Sequence, residues 1–195
     1  MASVTFTNFS GDDKKVYINP ALVTNTYGEG TFTAFSAAQR QADVTFQAQM
    51  TFPVSPTDGA FFEMGGSTYG CWNGIRDTSG TQKLRVRAGA GGSLSASSTT
   101  CAMLNITDFP KDGRAHWVTW DYRVNPGRVR LWIGNVLMGT GDTSGGGALS
   151  GSYWAGTNDG GYGQIGGSTL TGENSSAWSG DMITNLSFYN NYLIS

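Results

Sequence analysis

Eight residues have the types and the setting to hold a sugar: Tyr69, Trp72, Asn73, Tyr153, Trp154, Asn158, Asp159 and Tyr162, all in Gly-rich stretches. An indole or phenol face covers the apolar side of a sugar ring, while amides and carboxylates bond its hydroxyls. The plainer reading of the same aromatics is that they pack under their own loops. Asp142, Asn158 and Asp159 also offer oxygen donors of the kind calcium takes. They lack the regular spacing of a calcium loop, and Asp and Asn commonly bond local backbone in turns. No metal or other cofactor is expected.

Catalytic chemistry has little to draw on. A glycosidase needs two carboxylates across one bond, and Glu29, Glu63 and Glu173, the three glutamates of the chain, stand isolated from one another. A serine or cysteine nucleophile needs a base, and His116 is the single histidine. The plainer reading of His116 is a packed or hydrogen-bonded strand residue. The expectation is a protein that is not an enzyme. Lys83, Arg85 and Arg87 share one strand face and Arg128 and Arg130 another. Such rows suit an acidic partner, or simply a solvated outer sheet face.

The chain has 195 residues, enough for one domain with a full core. A formal net charge of −2 with 13% charged residues gives no basic field for nucleic acid. No apolar run is long enough to span a bilayer, and residues 1–6 lack the basic start and apolar core of a secretory signal. The expectation is therefore a protein made in a cytosol. Cys71 and Cys101 are read as free, partly buried thiols, with a single disulfide as the alternative.

The elements that must position these residues are strands. Twenty-nine glycines against five prolines suit short strands and many turns. Val44, Phe46, Ala48, Met50 and Phe52 alternate with polar residues, the cleanest two-residue period in the chain. His116, Val118, Trp120 and Tyr122 make a second row, and Val129, Leu131 and Ile133 a third. Between them Asn125, Pro126 and Gly127 read as a tight reversal, with Pro126 presetting φ and Gly127 tolerating a positive one. Residues 60–64 restart a strand, and Leu84, Val86 and Ala88 form another inward row. Residues 4–9 read as a first strand, 11–15 as a polar turn and 16–18 as its partner. Residues 65–73, 89–100 and 139–163 read as loops, with one short strand at 151–154. Ser36 to Ala42 suits one helical turn at most.

Asp112 and Gly113, the His116-to-Val118 run, and the strand ending Leu131, Trp132, Ile133 and Gly134 resemble the central hairpin of concanavalin A-like, laminin-G-like jelly-roll domains. Residues 44–52 are similar to the early core strand of that family, 164–167 to the strand before its last long loop, and 178–190 to its closing strand. The resemblance covers residues 40–195. It implies an all-β fold, a two-sheet antiparallel jelly-roll sandwich, with residues 37–195 as the sandwich; residues 1–36 stand a little apart and read as an N-terminal strand or arm packed on the same domain, with pairing to a neighbouring subunit as the alternative.

Many activities share this architecture, so the resemblance leaves function to the site. Two readings stand. The first is a structural module of a virus particle, most of all a bacteriophage capsid decoration (cement) or tail-associated protein. It would be a homo-oligomer, a trimer, bound to partners such as the major capsid protein and located in the virion. The second is a free-standing carbohydrate-binding, lectin-like domain with the loops at 65–73 and 139–163 forming its groove.

Overall fold

The computed structural model describes residues 14–16, 42–65, 69–90, 97–149, 163–164, 179–180 and 186–189, with side-chain surroundings for 42–62, 70–90, 97–149 and 179–180. Eleven strands run in chain order: β1 (Lys14–Val16), β2 (Val44–Thr51), β3 (Gly59–Gly65), β4 (Tyr69–Thr78), β5 (Thr81–Ala90), β6 (Cys101–Ile106), β7 (Ala115–Arg123), β8 (Arg128–Ile133), β9 (Val136–Asp142), β10 (Gly163–Gln164) and β11 (Leu186–Tyr189). One 3-10 turn, Ser144–Gly146, follows β9. A six-stranded sheet has the order β1-β11-β2-β7-β8-β9, and a five-stranded sheet the order β10-β3-β4-β5-β6. Every pairing is antiparallel. This is the all-β two-sheet sandwich that the alternation called for.

Alternation decides which face of each strand is dry. Val44, Phe46, Ala48 and Met50 of β2 point inward beside Val118, Trp120 and Tyr122 of β7, and all seven are buried. The register sets Phe46 directly opposite Trp120, with ring centroids 5.6 Å apart. From the opposing sheet Phe62 reaches to 4.8 Å from Phe46 and 5.5 Å from Trp120. A register shift between Ala60 and Phe62 marks a bulge in β3. The bulge sends both Phe61 and Phe62, neighbours in sequence, into the core.

Glycines close one end of the sandwich. A methyl at Gly141 of β9 would stand 2.1 Å from the Met103 carbonyl oxygen of β6, and one at Gly139 would stand 2.8 Å from Leu104. These edge strands of opposite sheets meet where there is no room for a side chain. Gly127 is held by space in the same way and not by a positive φ: an added Cβ would meet Thr143 at 2.5 Å and Leu149 at 2.9 Å. Its N–H donates to the Gly147 carbonyl, and Thr143 N–H donates back to the Gly127 carbonyl.

The structure corrects several sequence expectations. Residues 69–73 are not loop but the start of β4, and 139–142 belong to β9. Lys14 and Lys15, read as a turn, lie in β1, which borders the six-stranded sheet beside β11. Strand β6 was not anticipated. Residues 4–9, 17–41 and 150–162 lie outside the described residues, and with them the expected first strand, the helical turn up to residue 41 and the short strand at 151–154.

Two outcomes follow. Gly141→Ala is expected to lower stability by about 1–3 kcal/mol, as overpacking against fixed backbone does, measured by urea unfolding. Asp112 caps its own turn: His116 Nε2 lies 3.0 Å from Oδ1, and Arg114 N–H donates to the same oxygen. These hydrogen bonds, from His116 first, hold the Asp112 carboxyl below its ordinary value of 3.8. A depressed folded pKa stabilises above the unfolded value and is lost as pH falls through the folded one. Asp112→Ala should therefore have a lower Tm than wild type at pH 5, with the gap shrinking as pH falls below 3.8.

Candidate functional site

The strand residues that alternate with the core rows define two outer faces. On the six-stranded sheet these include Gln47 and Gln49 of β2, Trp117, Thr119 and Asp121 of β7, and Arg130 and Trp132 of β8. The middle of this face is dry. Asp121 is 0% and Arg130 6% exposed, and Arg130 donates from Nη2 to Asp121 Oδ2 at 2.7 Å and from Nε at 3.2 Å. The Arg130 guanidinium also lies 4.6 Å from the Trp132 ring. A charge pair closed on itself and stacked on an indole is a structural clamp.

One end of the same face is open. Trp117 is 46% exposed. It lies opposite Gln49 of β2, and the Gly134 N–H donates to its carbonyl at 2.7 Å, tying it to the β8–β9 turn. Gln47 Nε2 donates to Thr119 Oγ1 at 3.0 Å. Gln47, Trp117, Gly134 and Asn135 line a recess of about 220 Å³. An indole face with two carboxamides beside it can cover the apolar side of a sugar ring and bond its hydroxyls.

The outer face of the five-stranded sheet differs from expectation. Arg85 and Arg87 share it with Trp72, but the two arginines are only 3% and 4% exposed. Arg85 Nε donates to Asn105 Oδ1 at 2.8 Å, and Arg87 Nε to Cys101 Sγ at 3.3 Å. They do not make a solvated basic stripe. Arg128 is likewise engaged, since its guanidinium is paired with Asp142 across β8 and β9.

Of the sugar-site candidates, Trp72 and Asn73 lie in β4 and are buried. Trp72 packs with Ala60, away from the main core. Asn73 turns the other way, into the sandwich, and Nδ2 donates to the Tyr122 hydroxyl at 2.5 Å. Burial pushes Tyr122 well above its ordinary pKa, so its hydroxyl stays protonated. Neither Trp72 nor Asn73 presents a surface to a ligand. Tyr69 opens β4 opposite Ala90. Tyr153, Trp154, Asn158, Asp159 and Tyr162 lie outside the described residues. Asp142 is not placed as a calcium ligand, because both its oxygens face Arg128. Among the described residues no three His, Cys, Asp or Glu side chains group as a metal site would require.

His116 is the hydrogen-bonded strand residue expected, tied to Asp112. Cys71 and Cys101 are free thiols on opposite faces of the five-stranded sheet: Cys71 joins the core, and Cys101 meets Arg87 outside it. Trp117 and Asn135 escaped the sequence reading. The signal was present, because Trp117 falls on the wet register of the run whose other register holds Val118, Trp120 and Tyr122.

These features define a two-sheet, jelly-roll-like β-sandwich with an aromatic and amide recess at one end of an outer face. No family model and no curated protein matches the chain. Solved structures do match in fold. The Ruminococcus gnavus IT-sialidase CBM40 domain bound to α2,6-sialyllactose superposes with TM-score 0.55 at 10% identity, covering 94% of each chain. The same domain bound to α2,3-sialyllactose gives 0.53 at 12% identity over 80% of each chain. A botulinum neurotoxin type C structure, described as depending on two ganglioside molecules for cell entry, gives 0.51 at 9% identity, over 78% of this chain and 33% of the toxin chain. Identities this low establish a shared fold.

Asp121→Ala would leave Arg130 buried beside Trp132 without its carboxylate. The expected loss is about 3–5 kcal/mol, read as a shift in the urea midpoint.

Proposed function

We propose that the protein is a non-catalytic glycan-binding module, with the recess beside Trp117 as its binding surface. The observation that carries this reading is an exposed indole next to two carboxamides, at the open end of a sheet face whose middle, at Trp132 and Arg130, is buried. The shared fold with a carbohydrate-binding module captured on sialyllactose supports the same reading. His116, bonded to Asp112, is occupied in holding a turn, which favours a binding module over an enzyme.

The virus-particle setting and the trimer rest on composition, and these likenesses bring them no support. No helix among the described residues is long and apolar enough to cross a membrane.

The test is a glycan array followed by titration calorimetry on the strongest hit. Trp117→Ala should weaken that hit at least tenfold, about 1.4 kcal/mol, while the thermal midpoint stays near that of wild type. Binding unchanged in Trp117→Ala would move the site elsewhere on the sandwich.

A further inference from the structure

We infer that the Trp117 recess takes a single neutral hexopyranose unit and discriminates against sugars that carry a carboxylate, an inference that rests on the glycan-binding reading. At about 220 Å³ the space lies below the roughly 300–1,000 Å³ of pockets that hold drug-sized ligands. It suits one ring.

The lining chemistry then selects the kind of ring. None of the described lining residues is ionisable: Gln47, Trp117 and Asn135 supply side chains, and Gly134 supplies backbone. The Gly134 N–H is already given to the Trp117 carbonyl. Gln47 gives one of its two Nε2 protons to Thr119, which leaves one N–H and the Oε1 lone pairs for a ligand, and the Asn135 carboxamide adds donors and an acceptor of its own. Neutral donors and acceptors in this mixture match hydroxyls, which both give and accept hydrogen bonds, whereas a carboxylate only accepts and leaves the amide oxygens unmatched. On the same face the charges of Asp121 and Arg130 are closed on each other and buried, so this guanidinium is not available to an anion. A carboxylate seated against the indole would lose water without gaining a cation from the described lining, which costs more than the stacking returns. The selectivity therefore runs opposite to the sialylated ligands seen on the superposed CBM40 domain.

The experiment titrates the full chain with the methyl glycosides of galactose, glucose and mannose, and with methyl glucuronide and methyl sialoside. Binding is followed by saturation-transfer NMR and by tryptophan fluorescence at 50 and 500 mM NaCl (about 14 and 4 Å of screening length). The expected result is that at least one neutral glycoside binds at least tenfold more tightly than either acid. Its affinity should be the same at both salt concentrations and be lost in Trp117→Ala and weakened in Asn135→Ala, a substitution at an exposed turn position. Acids that bind as well as neutral sugars, or better, and depend on Trp117 would overturn the inference and leave glycan binding standing. Absence of binding to every glycoside here and to every glycan on the array would overturn both.

Discussion

The contact between the two sheets at Trp120 is the constraint on which the rest depends. Phe46 and Trp120 face each other across one sheet, and Phe62 enters from the other to touch both. Large aromatic side chains in mutual contact leave little freedom in how the sheets approach. Once Trp120 is inside, the two-residue period puts Trp117, Thr119 and Asp121 outside. The exposed indole is thus a by-product of the same register that builds the core. A one-residue slip of β7 would bury Trp117 and expel Trp120.

The outer face of the six-stranded sheet is graded along its length. Near its middle, Asp121, Arg130 and Trp132 are dry and mutually bonded, which fixes β7 against β8. Toward the β8–β9 turn the face opens to solvent at Trp117 and Asn135. A ligand platform gains from such an arrangement, because a rigid neighbour holds the indole in place before the ligand arrives and less ordering remains to be done on binding.

How much of this was legible in the sequence depended on whether one side of a strand was uniformly apolar. Residues 44–52 and 116–122 were, and their strands and core rows could be read directly. Strand β4 was not, because Gly70 and Gly74 break its pattern and Gly74 has no space for a methyl beneath Trp72. Strand β9 looked like loop for a related reason: Gly139 and Gly141 are there so that β6 can come close, and that demand arises from a partner distant in sequence. The alternation of Lys83, Arg85 and Arg87 gave the correct face but not its dryness, since burial of an arginine depends on Asn105 and Cys101 from another strand. Trp117 was not legible as a site residue because its exposed indole stands on a strand between core residues and not in a Gly-rich stretch.

The placement of the two thiols carries a consequence for where such a domain can work. Cys71 and Cys101 lie on opposite sides of one sheet, with β5 between their strands. Disulfide geometry requires the two Cβ atoms to converge within a few ångströms, about 3.5–4.5 Å. Here they point apart, so no oxidant can join them without taking the sheet to pieces. The sandwich owes its cohesion to aromatic packing and hydrogen-bonded ladders, and it is indifferent to the redox state of its surroundings. A module of this build keeps the same shape in a reducing cytosol and in an oxidising medium outside it.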